Sequence, residues 1–226
     1  MKEIKFNSPF ITKKELNFIK DVFNENQFYG VGKYTVKCEK IIKKTLSNSN
    51  VLLTDSCTSA LEIAALIIKK DKFDEVIMPS YTFSSTASAF IKAGFKIRFA
   101  DIDPMNGMID PNKIEKIINK KTRAIVVVHY GGNVAQIEKI KNICLKNKLY
   151  LVEDAAQSFN SFFKKKAVGT FGDFGCYSFH ETKNLHAGMS GALVLKNKKN
   201  YTRAIHIRER GTNRNDVIKG LSKKYS

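Results

Sequence analysis

Three separated stretches of the sequence carry residue types that can take part in chemistry. The segment 54–61, TDSCTSAL, places small hydroxyl residues where an apolar strand turns into a helix. Backbone N–H groups at such a start favour an anion such as phosphate. Asp154 follows another apolar strand, and Gln157 comes three residues later on the same face of a predicted helix. Lys183 lies five residues after Ser178, in a loop behind a third strand.

Pyridoxal phosphate is a cofactor that needs this combination of groups. It requires a lysine amine for a Schiff base, a carboxylate against its pyridinium nitrogen, and donors for its phosphate. Ligands of an open parallel sheet bind at the carboxyl ends of strands, where Asp154 and Ser178 are predicted to lie. Phe83 follows a further strand end and is a candidate for stacking on the ring. The sequence therefore predicts a pyridoxal-phosphate site.

Each of these residues also has an ordinary structural interpretation. Serine and threonine in 54–61 are common helix N-caps, and Asp55 beside them would oppose an anion. Asp154 could cap the following helix, and Phe83 could belong to the core. Lys183 could be one more solvated amine in a lysine-rich chain. Taken one at a time, the residues leave these alternatives open.

Alternating strands and helices would position these residues. Strands are predicted at 51–53, 75–78, 96–100, 124–128, 150–152, 174–177 and 191–195. Helices with apolar residues at three-and-four spacing are predicted at 59–68, 84–93, 111–119 and 137–146. Several strands are apolar on both faces, and each crossover has room for a helix. This pattern predicts four βα units and an α/β fold, with a mixed, mainly parallel sheet between helices.

The two ends of the chain differ from this pattern. Thr12 and Glu15 have capping-box spacing and open an amphipathic helix, followed by a glycine-bearing loop at 28–32 and a second helix to Leu46. A last helix is predicted from about residue 200 to residue 210. We divide the chain into an N-terminal helical segment, 1–50, and a cofactor-binding large domain, 51–226.

The composition is that of a soluble globular protein with excess positive charge. Of 226 residues, 43% are hydrophobic and 27% are charged, and the formal net charge is +18. The lysines are scattered, which favours a solvated surface over nucleic-acid binding and remains compatible with a phosphate-bearing substrate. The sequence shows no signal peptide or membrane-spanning run, and its distant cysteines indicate neither disulfides nor zinc. We therefore expect a cytoplasmic protein.

Two motif-like patterns fail on spacing. His180 and His186 are six residues apart, whereas two histidines on one face of a zinc-binding helix are four apart. Gly30 and Gly32 follow no strand, so they predict neither a dinucleotide fingerprint nor a phosphate loop. The sequence therefore predicts no metal site.

From residue 6 to residue 226 the chain resembles the DegT-type aminotransferases, pyridoxal-phosphate enzymes that aminate nucleotide-linked keto sugars. The resemblance is carried, in this order, by 56–61 (SCTSAL), 74–83 (DEVIMPSYTF), 152–157 (VEDAAQ) and 178–184 (SFHETKN). It implies the large domain of a fold-type-I transferase. Within the family, 177–184 and 208–214 look most like transaminases of dTDP-linked 4-keto-6-deoxy sugars.

The resemblance implies a role for each candidate residue. Lys183 would form the Schiff base and move protons, and Asp154 would face the pyridinium nitrogen. Gln157 would lie near the ring hydroxyl, and Phe83 would lie on the ring face. The phosphate would be held by Cys57, Thr58 and Ser178. A lysine at 183 also separates the chain from the family's sugar dehydratases, which have a histidine there.

The implied activity is transamination. L-glutamate would give up its amino group, leaving 2-oxoglutarate, and the 4-keto group of dTDP-4-dehydro-6-deoxyglucose would become an amine. The resemblance further implies a homodimer when full length, without nucleic-acid or membrane partners. It alone suggests a role in polysaccharide synthesis, such as that of lipopolysaccharide. The nearest catalytic alternative is an aminotransferase acting on another nucleotide sugar.

Two features depart from the family pattern. Relatives usually read GEGG where this chain has GMSG at 188–191. They also continue well beyond residue 226 through a small second domain, so we expect this chain to be C-terminally truncated. A folded but inactive remnant, or a non-catalytic basic binding protein on the same fold, are the alternatives to a working enzyme.

Overall fold

A computed structural model describes residues 4–5, 7–26, 28, 30–47, 50–218 and 220–225. Position 29 of the predicted glycine loop lies outside the described residues, as do the two limits of the family resemblance, positions 6 and 226. Among the residues that are described, no helix is both long enough and apolar enough to cross a bilayer.

Helices and strands follow one another along the described chain. The helices are α1 (Glu15–Asn24), α2 (Lys33–Thr45), α3 (Cys57–Ile68), α4 (Ser84–Lys92), α5 (Pro111–Ile117), α6 (Ile137–Asn147), α7 (Lys198–Arg208) and α8 (Arg214–Ile218). The strands are β1 (Asn50–Thr54), β2 (Glu75–Pro79), β3 (Lys96–Ala100), β4 (Thr122–Val128), β5 (Tyr150–Asp154), β6 (Phe162–Phe163), β7 (Lys166–Ala167), β8 (Phe174–Ser178) and β9 (Gly191–Leu195). The predicted strands and helices are confirmed with shifts of a few residues at their ends, except for the helix predicted after Asp154.

A seven-stranded sheet runs through the molecule in the order β1-β9-β8-β5-β4-β2-β3. β9 is antiparallel to both of its neighbours, and the other adjacent pairs are parallel. The predicted α/β fold with a mixed, mainly parallel sheet is therefore confirmed. β1, although first in the chain, lies at an edge beside the last strand of the sheet.

Helices cover both faces of the sheet. In β2, Val76 and Met78 pack in a core cluster with α3 and α4, whereas Ile77 packs in a second cluster with α5 and α6. Burying one such side chain stabilises the fold by about 1.5–3 kcal/mol. Burial on both faces explains why the central strands read as continuous apolar runs.

The N-terminal helix α1 forms as predicted, but with a different cap. The hydroxyl and N–H groups of Thr12 donate to the Glu15 carboxylate at 2.8 and 3.2 Å, while Lys14 occupies the cap position. No residue of α1 is buried, and Leu16 and Phe23 on its apolar side are more than half exposed. The hydrophobic spacing predicted the helix, but most of its apolar side remains exposed in this structure.

The carboxyl ends of β8, β5, β4 and β2 lie side by side along one edge of the sheet, because these neighbours are parallel. The antiparallel strand β9 begins at the same edge, where Gly191 pairs with both Ser178 of β8 and Thr54 of β1. The start of α3, just after Thr54, is therefore brought to the ends of the central strands.

Candidate functional site

Asp154 is the last residue of β5 and is only 5% exposed. The Thr86 hydroxyl donates to its Oδ2 atom at 2.7 Å, and the Ala156 N–H donates to its Oδ1 atom at 3.1 Å. Burial raises the pKa of the Asp154 carboxyl, and the two hydrogen bonds act in the opposite direction. A buried acid held by two donors therefore lies at the edge where ligands of parallel sheets bind.

The helix predicted after Asp154 is wrong. Residues 155–160 form turns, because the carboxylate accepts the N–H group two residues further on, which is an Asx turn. Asp154 therefore caps no helix, and Gln157 does not share a helical face with it. Gln157 nevertheless reaches the neighbouring strand end, since its Oε1 atom accepts the Gly131 N–H at 2.6 Å.

Lys183 lies half-buried in the loop that joins β8 to β9. Burial raises the pKa of both the Asp154 carboxyl and the Cys57 thiol, whereas the charge of Lys183 lowers both. The amine of Lys183 therefore acts electrostatically on two groups that come from other elements. It is not an isolated, fully solvated lysine.

The start of α3 contributes backbone donors to the same place. The cap residue Ser56 accepts the Ser59 N–H through its Oγ atom at 3.1 Å. The N–H groups of Cys57 and of the half-buried Thr58 belong to the first helical turn and have no acceptor within the helix. Capping and anion binding can therefore coexist here, because the cap uses a different N–H group.

The thiol of Cys57 points toward the acid. Its Sγ atom lies 4.0 Å from Asp154 Oδ1. Burial, followed by the Asp154 charge, raises the pKa of this thiol well above its usual value. The side chain therefore stays protonated at neutral pH, and any contribution to phosphate binding would come from its backbone N–H.

A close backbone contact fixes the start of α3 against β9. A Cβ atom at Gly191 would lie 2.3 Å from the Ser56 carbonyl carbon and 2.5 Å from the Cys57 nitrogen. No side chain fits there. Ser178, paired with Gly191 across the sheet, is buried, and its Oγ atom accepts the His180 N–H at 3.3 Å.

Phe83 lies at the same edge and is not a core residue. It occupies the cap position of α4, directly after the turn that follows β2, and 73% of its surface is exposed. Two residues earlier in the chain, Tyr81 stacks on Tyr130, which follows β4, with ring centroids 4.7 Å apart. The alternative of a core phenylalanine is therefore excluded.

Sequence reasoning missed a buried polar pair beneath the site. His129 Nδ1 accepts the Ala135 N–H, so Nε2 carries the ring proton and donates to Glu153 Oε2 at 3.0 Å. Both side chains are completely buried. The carboxylate also accepts the Gly169 and Gly172 N–H groups. Two features of the sequence could have indicated this pair: a histidine directly after β4, and a glutamate inside an apolar strand.

A third missed residue is Thr86, which lies fully buried in the first turn of α4. Its hydroxyl is the donor to Asp154 Oδ2, and a second hydroxyl, that of Thr82, lies 2.7 Å from it. The serine and threonine residues at 80–86 are of the types that commonly start a helix, so the sequence alone does not single out Thr86. Only the pairing of distant elements shows that one of them contacts the acid.

A cavity of about 910 Å³ lies beside the start of α3, but it is not this site. Asp55, Ser59 and Glu62 line one part of it, and Arg208 and Arg214 line another. None of the predicted cofactor residues lines it. The side chains at the strand ends, rather than this cavity, therefore define the candidate site.

Neither histidine of the rejected zinc pattern is placed to bind a metal with other side chains. His180 Nδ1 contacts the Thr182 hydroxyl, and His186 Nε2 contacts the Phe10 carbonyl oxygen. Over the ranges that the structure describes, no group of three or more His, Cys, Asp or Glu side chains could hold a metal ion.

The fold is that of pyridoxal-phosphate-dependent transferases of fold type I. The chain belongs to the DegT/DnrJ/EryC1/StrS aminotransferase family, whose profile matches residues 9–224. The family resemblance read from the sequence is thereby confirmed.

Three similar proteins illustrate the relationship. The GDP-perosamine synthase of Escherichia coli O157:H7 is 30% identical over 211 residues, which cover 93% of this chain and 58% of that protein. DesI, solved in the presence of its TDP-sugar product, has a TM-score of 0.84 at 25% identity, covering 90% of this chain and 52% of DesI. NtdA of Bacillus subtilis, solved with bound cofactor PMP, has a TM-score of 0.80 at 31% identity, covering 90% and 48%. The chain thus spans about half the length of these relatives.

Proposed function

We propose that this protein is a pyridoxal-phosphate-dependent aminotransferase that transfers the amino group of L-glutamate to a nucleotide-linked 4-keto-6-deoxy sugar. The observation that supports the proposal is the electrostatic effect of the Lys183 amine on the buried Asp154 carboxyl at the end of β5, in a chain of the aminotransferase family. A lysine amine and a carboxylate are the two protein groups that this cofactor's chemistry requires.

The residues present suit the cofactor. Thr86 and Ala156 each bond one oxygen of the Asp154 carboxylate, which keeps acceptor capacity for a pyridinium N–H. The start of α3 has N–H groups free for a phosphate. Phe83 presents an exposed ring that could stack on a flat heterocycle. Relatives of known structure hold the cofactor in its aminated form, as the NtdA structure with PMP illustrates.

Each residue would make a distinct contribution. When bound, the cofactor supplies an electron sink for the reacting carbon. Lys183 would attach it covalently through Nζ and, once free, carry a proton from one carbon atom to another. Asp154 would keep the ring nitrogen protonated, and Phe83 would cover the ring. Phosphate and ring-hydroxyl contacts would come from Cys57, Thr58, Ser178 and Gln157.

The finer substrate assignment rests on motif resemblance. The stretches 177–184 and 208–214 look most like dTDP-4-amino-4,6-dideoxygalactose transaminase, so we propose dTDP-4-dehydro-6-deoxyglucose as the amino acceptor. Among the relatives, one is named for a GDP-linked sugar and another was solved with a TDP-sugar. Both nucleotides therefore belong in any test. A cytoplasmic location and a role in lipopolysaccharide or other polysaccharide synthesis are part of the same proposal.

The decisive experiment supplies purified protein with pyridoxal phosphate, L-glutamate and a panel of dTDP-, GDP- and UDP-linked keto sugars. We expect a visible absorbance band from covalently bound cofactor, which is trapped by borohydride and absent in Lys183→Ala. We also expect 2-oxoglutarate to form in excess over the cofactor present only when an acceptor sugar is added, because the first half-reaction releases one equivalent without it. A protein that shows no such band at saturating cofactor would contradict the proposal.

Two alternatives predict other outcomes in the same experiment. An inactive remnant would bind the cofactor through Lys183 but release no 2-oxoglutarate with any sugar. A basic binding protein on the same fold would show no band and would bind nucleic acid with a steep dependence on salt concentration. The scattered distribution of the lysines favours neither alternative over the enzyme.

Homodimerisation, which the resemblance implies for the full-length protein, is part of the proposal and has a separate test. The exposed apolar side chains of α1, including Leu16 and Phe23, are compatible with a further contact surface. Light scattering on the purified protein should give twice the monomer mass of 25.5 kDa. A monomer at micromolar concentration would count against a dimer formed by this chain.

A further inference from the structure

Two threonine hydroxyls stand in line behind the Asp154 carboxylate. Thr86 Oγ1 lies 2.7 Å from Asp154 Oδ2, and Thr82 Oγ1 lies 2.7 Å from Thr86 Oγ1. We call these three side chains the hydroxyl relay. Thr86 and Asp154 are buried, whereas Thr82 is half-buried, so the relay runs from the partly exposed start of α4 to the buried end of β5.

The donors and acceptors of the relay can be ordered from chemistry alone. An ionised carboxylate only accepts hydrogen bonds, and each threonine hydroxyl has a single proton. Thr86 must therefore donate to Asp154 when the acid is ionised. Its proton is then used, so the bond between the hydroxyls must be donated by Thr82. The relay thus has one direction, which strengthens the hydrogen bond that reaches the carboxylate.

The relay holds one oxygen of the acid while another element holds the second. Thr86 bonds Oδ2 from α4, and the Ala156 N–H bonds Oδ1 from the turn after β5. A carboxylate bonded at both oxygens from different elements cannot rotate freely. Thr86 is also in the first turn of the nine-residue helix α4, where the backbone favours a negative charge.

Other groups around the acid also affect its ionisation. Burial opposes the charged form, and His129 and Lys183 favour it. Two thiols, Cys57 of α3 and Cys176 of β8, interact with the carboxylate, and burial raises the pKa of both thiols well above its usual value. Thr86 is the side chain that bonds the carboxylate through a hydroxyl.

We propose that Thr86, backed by Thr82, is a positioning residue that holds the Asp154 carboxylate ionised and in one orientation for the cofactor ring nitrogen. The inference rests on the proposed function, because it assigns a task to Asp154. Thr86 itself touches neither the cofactor nor the substrate in this scheme. It acts through the acid, so its loss should change the charge state of Asp154 before it changes anything else.

The test compares three substitutions in the whole chain. Thr86→Val removes the hydroxyl and keeps the shape, and Thr86→Ser keeps the hydroxyl. Thr122→Val is the matched control, since Thr122 is also buried and its hydroxyl accepts only the Asn119 N–H at 3.0 Å. The pKa of the Asp154 carboxyl is measured in cofactor-free protein by carbon NMR, with Asp154→Asn to assign the signal.

We expect Thr86→Val to raise the pKa of Asp154 by about one to two units, because a hydrogen bond to a charged group is lost. Thr86→Ser should stay close to the wild type, and Thr122→Val should leave the value unchanged. At a pH below the raised pKa of Asp154, the dissociation constant for pyridoxal phosphate should rise in Thr86→Val alone, by up to about tenfold for each unit of the pKa shift, because the acid must be ionised to bind the ring nitrogen.

An Asp154 pKa that is the same in Thr86→Val and Thr122→Val would overturn the inference. If Thr86→Val fails to fold, the same pKa measurement on Thr82→Val tests the inference instead, because Thr82 is partly exposed and tolerates the change. It should raise the Asp154 pKa by a smaller amount, and an unchanged value there would also overturn the inference. The NMR measurement needs no cofactor, so a wild-type protein that binds no pyridoxal phosphate would refute the proposed function separately.

Discussion

Substituting Gly191 with alanine should damage the site from a position that carries no reactive group. The added Cβ atom would lie 2.3 Å from the Ser56 carbonyl carbon, and ordinary contact begins at 3.4 Å. The backbone of β9 and the start of α3 must therefore separate by about 1 Å, because a packed interior has no free volume to absorb the methyl group. Overpacking of this kind costs about 1–3 kcal/mol of unfolding free energy.

The displacement would reach the proposed phosphate site directly. Gly191 pairs with Ser178 on one side and with Thr54 on the other, and its Cβ position faces the N–H of Cys57. A misplacement of about 1 Å in a catalytic arrangement can cost about 100-fold in rate. We therefore expect Gly191→Ala to bind pyridoxal phosphate more weakly and to lose most of its turnover while remaining folded.

The assay is urea unfolding followed by circular dichroism, together with fluorescence titration of pyridoxal phosphate. Gly30→Ala is the matched control, because among the described residues, chain neighbours aside, no heavy atom lies within 4 Å of a Cβ at Gly30. Gly30→Ala should match the wild type in both measurements. If Gly191→Ala has the stability and the cofactor affinity of Gly30→Ala, the claim that β9 must touch the start of α3 is refuted.

Three further predictions concern single side chains. Lys183→Ala should abolish both the visible band of bound cofactor and turnover, whereas Lys199→Ala, a change at an exposed lysine of α7, should keep both. Glu153→Gln should lower the free energy of unfolding in urea by about 3 kcal/mol, because an amide nitrogen would face donors that the buried carboxylate now accepts; equal stability would contradict this. Burial opposes ionisation of Asp74, but backbone N–H groups and Arg123 outweigh it and lower its pKa below the usual 3.8. The ionised Asp74 therefore stabilises the fold above that value, and this stabilisation is lost as the pH falls through the lower pKa of the folded state. The urea midpoints of wild type and Asp74→Asn should differ at pH 7 and converge in acid.

Local signals in the sequence were sufficient for the elements and for the identity of the family. Largely apolar runs such as 75–78 and 124–128 predicted central strands of a covered sheet, because a strand with one face in water alternates in polarity. The stretch 178–184 with Lys183 predicted the chemistry, because its residue types match what the cofactor requires.

The same local reasoning failed where a side chain competes with the backbone. The run after β5 looked helical because its alanines and Gln157 favour a helix. The Asp154 carboxylate instead takes the Ala156 N–H and closes a turn, so the chain leaves the strand without forming a helix. Helix propensity is a weak preference, and one charged hydrogen bond at the first residue is enough to override it.

The sequence by itself determined which residues could react and which segments would be strands or helices, because both follow from residue type and short-range spacing. Only the tertiary structure decided that Thr86, Cys57 and Lys183 would all act on Asp154. These residues come from different elements, and the order of strands in the sheet brings them together. That order depends on hydrogen bonds and packing between segments far apart in the chain, for which no short stretch of sequence carries a signal.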